Sequence, residues 1–217
     1  MDTDCVDYGD YQRCLRDLSR VNIVTLTHRP MLAWLRRRTE RLSAFSLLDV
    51  ACGYGDALRQ IGRWAERRGM AVRLEGIDLN PWATQAACEA TTAAITYRTG
   101  DAFAIDANET YDFIISSQFT HHLTDAEIVR FIRWMELHSR RGWYIADLHR
   151  HWLPHYGFGV LAWLARWHPF VLSDGRISIA RAFVPADWRR LVRQAGLSER
   201  EVAITWHVPF RLCVARR

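Results

Sequence analysis

The sequence contains no lysine: all 29 basic residues are arginine, set against 24 acidic ones for a formal net charge of +5. A groove built for nucleic acid usually recruits lysine and arginine together, so an all-arginine set reads as compositional bias, and the modest charge speaks against a nucleic-acid partner. Cysteine is sparse. Its positions, Cys5, Cys14, Cys52, Cys88 and Cys213, contain no C-x-x-C pair, so they suggest neither a disulfide framework nor a zinc site, and no metal is expected. No apolar run reaches the ~20 residues of a membrane span. The nearest approach, 152–172, is interrupted by Pro154, His155, Arg166, His168 and Pro169. The acidic start lacks the basic-then-apolar pattern of a signal peptide, and a cytoplasmic location is the expectation. Repeats, low-complexity runs and linkers are also missing. With 49% of its residues apolar or aromatic, the chain reads as one folded domain.

What is present is alternation. Leu15, Leu18 and Val21, then Met31, Trp34 and Leu35, recur at helical spacing within 11–41, with Pro30 opening a second helix. Strands are predicted at 46–52, 72–79, 95–99, 111–117 and 142–147. Helices are predicted between them, at 56–68, at 81–90 with Asn80 as cap, and at 124–139 with Thr124 and Glu127 at capping-box spacing. A helix at 185–195 and two close strands, near 199–206 and 208–214, end the chain as a possible antiparallel hairpin. Such alternation implies right-handed crossovers and a mostly parallel sheet covered on both faces. Four segments follow: an N-terminal helical addition (1–44), the alternating core (45–148), an aromatic-rich insertion (149–183) and the closing helix and strands (184–217).

In open parallel sheets, ligands bind beyond the carboxyl ends of the strands. Four motifs fall there. LLDVACGYGD (Leu47–Asp56) places Asp49, Ala51, Gly53 and Gly55 after the first strand; it reads as a tight strand-to-helix turn or as a loop that lets a ligand approach the backbone. EGIDL ends the second strand with Asp78, at an offset of about 20 residues where a carboxylate can receive ribose hydroxyls. TGDA ends the third with Asp101, and SSQFTHH follows the fourth with Ser117, His121 and His122. Singly, Asp78 also reads as a helix cap and Asp101 as a turn residue; together with the glycine turn they outline a nucleoside site. There is no G-x-x-x-x-G-K-[ST], which argues against triphosphate binding there, and Leu58 stands where a dinucleotide fingerprint wants its third glycine.

Taken in order, LLDVACGYGD, EGIDL, TGDA and YDFIISSQFTHHL resemble the class I S-adenosylmethionine-dependent methyltransferases of the small-molecule branch, over roughly 45–148. The family's first motif typically reads D-x-G-x-G-x-G; Asp49, Gly53 and Gly55 match it, and Ala51 replaces the first glycine. The resemblance implies a Rossmann-like seven-stranded sheet and S-adenosylmethionine as cofactor. By the same resemblance, the loop lies along the methionine part, Asp78 and Leu79 lie at the ribose, Asp101 and Ala102 by the adenine, and Ser117 near the sulfonium.

His121 and His122 after the fourth strand, and His149 after the fifth, flank the place where a methyl acceptor belongs, and are the candidate proton acceptors; an ordinary packing role is the alternative for each. Asp147, Trp152, Phe158, Tyr11 and Arg29 are the candidate acceptor-binding residues. WLPHYGFGVLAWLARWHPF carries few charges and five Trp or Phe residues, which suits an apolar or aromatic ligand or, equally, an extra core-covering helix. The expected activity is methyl transfer to an oxygen or carbon of a small phenolic, polyketide- or quinone-like acceptor in secondary metabolism. RNA methylation and a non-catalytic cofactor-binding module are the alternatives.

Overall fold

The computed structural model describes residues 7–150, 182–208 and 211–217. Two helices come first, α1 (Tyr8–Val24) and α2 (Arg29–Arg38). Then β1 (Ala44–Val50), α3 (Asp56–Glu66), β2 (Ala71–Asp78), α4 (Pro81–Glu89), β3 (Ile95–Thr99), β4 (Tyr111–Ser117), α5 (Asp125–His138) and β5 (Ser139–Leu148) alternate as expected. Helix α6 (Pro185–Gln194) and strands β6 (Val202–His207) and β7 (Arg211–Arg216) close the chain. Trp152 and Phe158 lie outside the described residues.

Seven strands, among the described residues, form one sheet in the order β3-β2-β1-β4-β5-β7-β6. The first five run parallel, while β7 pairs antiparallel with both β5 and β6, so the closing strands do form a hairpin. Strand order reverses beside β1, which has β2 on one side and β4 on the other; such a switch point opens a crevice at the carboxyl edge.

Alternate residues of each strand face opposite layers. Leu48, Val50, Ile114, Trp143, Ile145, Leu212 and Val214 pack with Ile128, Phe131 and Ile132 of α5 and with Trp188 and Leu191 of α6. Their neighbours Leu47, Phe113, Ile115, Tyr144 and Cys213 pack with Met31 and Leu35 of α2 and with Leu58 and Ile61 of α3. Both faces are covered, which explains why the strands read as continuous apolar runs. No helix among the described residues is long and apolar enough to cross a membrane.

The capping signals do what they promised. Thr124 accepts from the Glu127 amide while the Glu127 carboxylate accepts from the Thr124 amide, and Asn80 accepts from the Trp82 amide. Some boundaries moved: β6 and β7 begin three residues later than expected, at Val202 and Arg211, and β5 begins three residues ahead of Gly142, at Ser139, because Arg140 and Arg141 together oppose Asp112 as a bulge between the Tyr111–Ser139 and Phe113–Gly142 pairs.

Helix α1 is fastened at both ends. At its start the Tyr8 hydroxyl and the Gln12 amide each donate to Glu89 of α4 at 2.6 Å. At its far end Asn22 donates to Asp56, the first residue of α3, at 3.1 Å, and His28 meets the same carboxylate oxygen at 2.8 Å. Between these anchors Tyr11, Leu15 and Leu18 pack with Ala83 and Ala86 of α4 and with Tyr54 of the β1–α3 turn.

Candidate active site

The β1–α3 turn holds three left-handed kinks at alternate residues: Ala51 at φ 58°, Gly53 at φ 50° and Gly55 at φ 71°. Glycine occupies that region at little cost, whereas for alanine it costs about 1–2 kcal/mol, so the turn carries strain at Ala51. Gly55 has a second reason to lack a side chain, since a Cβ there would overlap the Tyr97 ring. Gly76 is similarly pressed, because its Cβ would stand 2.8 Å from the Cys52 sulfur. Around Gly53 the space is open, with nothing within 4 Å of where a Cβ would be.

Asp78 fastens this turn to β2. Its Oδ2 accepts from the Gly53 amide at 2.9 Å and its Oδ1 from the Asn80 amide at 3.0 Å. Leu79 beside it is 69% exposed. Asp101 caps a short turn at Ala102–Ala104, accepting from the Phe103 amide at 2.9 Å, and Ala102 is buried under it. Two buried oxygens near the ends of β1 and β4, Asp49 Oδ1 and Ser117 Oγ, have no hydrogen-bond partner. Burial pushes the Asp49 carboxyl well above its ordinary value, and the charges of Asp56 and Asp78 push it further. Asp49, Asp56 and Asp78 together gather carboxylate at this turn, where Arg59 also donates to the Tyr54 carbonyl at 2.6 Å.

The histidines lie across the crevice. Asp147, fully buried at the end of β5, holds the segment after β4 by three bonds. Its Oδ2 accepts from the Thr120 hydroxyl and from the His121 amide (2.9 Å), and its Oδ1 meets His121 Nδ1 at 2.7 Å. The Leu148 amide adds a bond to Oδ1 at 2.7 Å. Burial alone would raise the Asp147 carboxyl, but His121 and Thr120 more than offset it and hold it below its ordinary value. An ionised carboxylate can only accept, so Nδ1 of His121 carries the proton and Nε2 is left as the basic nitrogen. The His122 ring stacks on that of His121, centroids 4.2 Å apart. His149 follows β5 and pairs through its backbone with Phe183.

Other candidates are placed elsewhere. The oxygens of Asp147 accept from His121, Thr120 and Leu148. Tyr11 is buried in α1 against Trp82, ring centroids 5.8 Å apart, and Arg29 is exposed at the start of α2. Sequence reasoning missed Arg211, fully buried at the start of β7. It donates to Thr27 at 2.7 Å, to Thr25 at 3.3 Å and to Gln118 at 3.5 Å, and burial pulls its guanidinium down to about 10. An arginine opening an otherwise apolar strand was the available signal. Among the described residues no three His, Cys, Asp or Glu side chains gather as a metal-holding group.

Residues 47–142, which contain both the kinked turn and the His121 segment, match the model of a methyltransferase-domain family. That match covers less than half of the chain, and the seven-stranded sheet around it has the Rossmann-like methyltransferase fold. The open space at Gly53, the Asp78 carboxylate and the carboxylates at the turn fit a nucleoside bearing positive charge, such as S-adenosylmethionine. No curated protein matches the chain by sequence. Its fold is similar to magnesium protoporphyrin IX methyltransferase from Synechocystis, crystallised with S-adenosylhomocysteine, at 17% identity over 97% of this chain and 87% of that one, with TM-score 0.59. It is also similar to the plantazolicin methyltransferase bound to a pentazolic substrate analogue and S-adenosylhomocysteine (13% identity, 91% and 80% coverage, TM-score 0.66). Human N-acetylserotonin methyltransferase with S-adenosylmethionine is a third (14% identity, TM-score 0.63), covering 97% of this chain, which spans only 56% of the human protein. At these identities the likeness concerns the fold.

Proposed function

We propose that the chain is a class I S-adenosylmethionine-dependent methyltransferase that methylates an oxygen or a carbon of a small apolar or aromatic acceptor, phenolic or quinone-like, with His121 as the proton acceptor. The observation that carries this reading is the buried His121–Asp147 pair at the carboxyl ends of β4 and β5, across the crevice from the glycine turn. When bound, the cofactor supplies a methyl group on a sulfonium, an electrophile strong enough that alignment with the acceptor provides much of the acceleration. A phenol with a pKa near 10 is mostly neutral at about pH 7, so its oxygen gains nucleophilicity by losing its proton to Nε2 of His121. Asp147 holds the ring in the tautomer that leaves Nε2 open to that proton and steadies the charge it then carries; Asp147 is a positioning residue. Asp78 and Leu79 hold the ribose, Asp101 and Ala102 the adenine, and Ser117 borders the reacting methyl. Helices α1 and α2, with Tyr11 and Arg29, form a lid over 45–148, and His122 and His149 line the acceptor's side.

The test is transfer of a labelled methyl group to a phenol and quinone library, with bulk RNA included; transfer to RNA alone would remove the small-molecule reading. On the identified acceptor, His121→Ala is expected to lower kcat by about 10²–10⁴-fold, the usual reach of general-base catalysis, with S-adenosylhomocysteine affinity nearly unchanged. Asp147→Asn should reproduce most of that loss, since an amide can donate to Nδ1 and favour the other tautomer. Near-normal turnover in both variants would leave proximity as the whole of catalysis.

A further inference from the structure

At the opposite edge of the sheet, away from the cofactor crevice, lies an open cleft of about 560 Å³. Six arginines line it: Arg38 at the end of α2, Arg140 and Arg141 in the β5 bulge, Arg200 before β6, and Arg216 and Arg217 at the end of β7. Segments far apart in the chain converge here, and the bulge matters to this, because it presents two consecutive arginines on the edge of the sheet. Two carboxylate side chains share the lining, Glu136 and Glu201, and Arg216 engages both at 3.0 Å. Asp112, just outside, serves Arg140 at 3.5 Å and Arg141 at 3.1 Å. Arg38, Arg200 and Arg217 have no carboxylate partner among the described residues. Arg38 instead donates to the Arg141 carbonyl, and both burial and the Arg216 charge pull its guanidinium below its ordinary value. Like charges have been gathered in one concave place without matching counter-charge.

The lining also says what kind of anion fits. Besides arginine and glutamate it contains only Ser139 and Gly142, with no aromatic ring for a base to stack on and no aliphatic side chain to cover an apolar body. Planar guanidinium forks pair with phosphate oxygens through two parallel hydrogen bonds. We propose that this cleft is a binding site for a small, multiply charged oxyanion of the polyphosphate class, separate from the methyl-transfer site. Three otherwise uncompensated guanidiniums acquire their counter-charge from the ligand, which ties the end of α2 to the start of β5 and the end of β7.

Calorimetry with inorganic triphosphate on the full chain tests this, in about 0.15 M salt, where the ~8 Å screening length suppresses diffuse attraction. One-site binding is expected. Arg38→Gln combined with Arg200→Gln should weaken it by more than about tenfold, equivalent to 1.4 kcal/mol or more. Arg67→Gln with Arg68→Gln removes the same charge from exposed positions after α3 and should leave the affinity within about twofold. Unchanged S-adenosylhomocysteine affinity in the first double variant shows that it is folded. Absence of triphosphate binding, or equal weakening in both double variants, overturns the site. So does a short RNA that binds with the same arginine dependence while triphosphate does not, since the ligand is then a nucleic-acid backbone.

Discussion

At Asp49 a carboxyl is buried with one oxygen unpartnered, between the charges of Asp56 and Asp78. Its folded-state pKa is raised above the unfolded value. The folded protein therefore holds this proton more tightly, and the stability so gained is complete below the unfolded value and lost as pH rises through the folded one. Asp49→Asn removes the penalty of an ionised buried group. Thermal melts of the ligand-free protein should show Asp49→Asn raising Tm at about pH 8 and changing it little at about pH 4. The same variant should bind S-adenosylmethionine more weakly, since a cationic ligand loses the charge that faces it. A lower Tm at the higher pH would mean that Asp49 is a structural acceptor instead.

Among the elements, the β1–α3 turn has the least tolerance. Gly55→Ala would combine a left-handed φ of 71° with overlap on the Tyr97 ring, so it should unfold the turn and abolish cofactor binding. Adding Tyr97→Ala relieves the overlap and leaves about 1–2 kcal/mol of backbone strain, so the double variant should recover part of the melting temperature. No recovery would assign the damage to φ alone. The turn was legible as a turn in D-x-A-x-G-x-G, and the helices and strands around it were legible from periodicity and caps, because those signals are local. Tyr97 gave no such sign: its contact with Gly55 depends on β3 lying beside β2, a long-range arrangement. The His121–Asp147 bond likewise joins two strand ends 26 residues apart, so each residue could be placed at the right edge while their pairing stayed hidden. The arginine cleft was less visible still, since Arg38, Arg140 and Arg200 come from segments far apart in the chain.

For the molecule as a whole, two buried carboxylates set the acid limit. Burial tends to raise both Asp56 and Asp147, yet their histidine partners hold them below the ordinary 3.8. A depressed folded pKa contributes stability above the unfolded value and loses it as pH falls through and below that value. We expect Tm to fall steeply from about pH 5 downward, and Asp56→Asn to flatten that slope while lowering Tm at neutral pH. An unchanged acid slope in the variant would place the acid sensitivity elsewhere. Asp56 is also where α1 is tied down at its far end, with Glu89 holding its start. In the proposed lid role, α1 held at both ends acts as a clock: a spent nucleoside leaves when one end lifts, however fast the bond-making beneath it. Loosening Glu89 should then raise the rate at which turnover repeats while leaving the first turnover untouched.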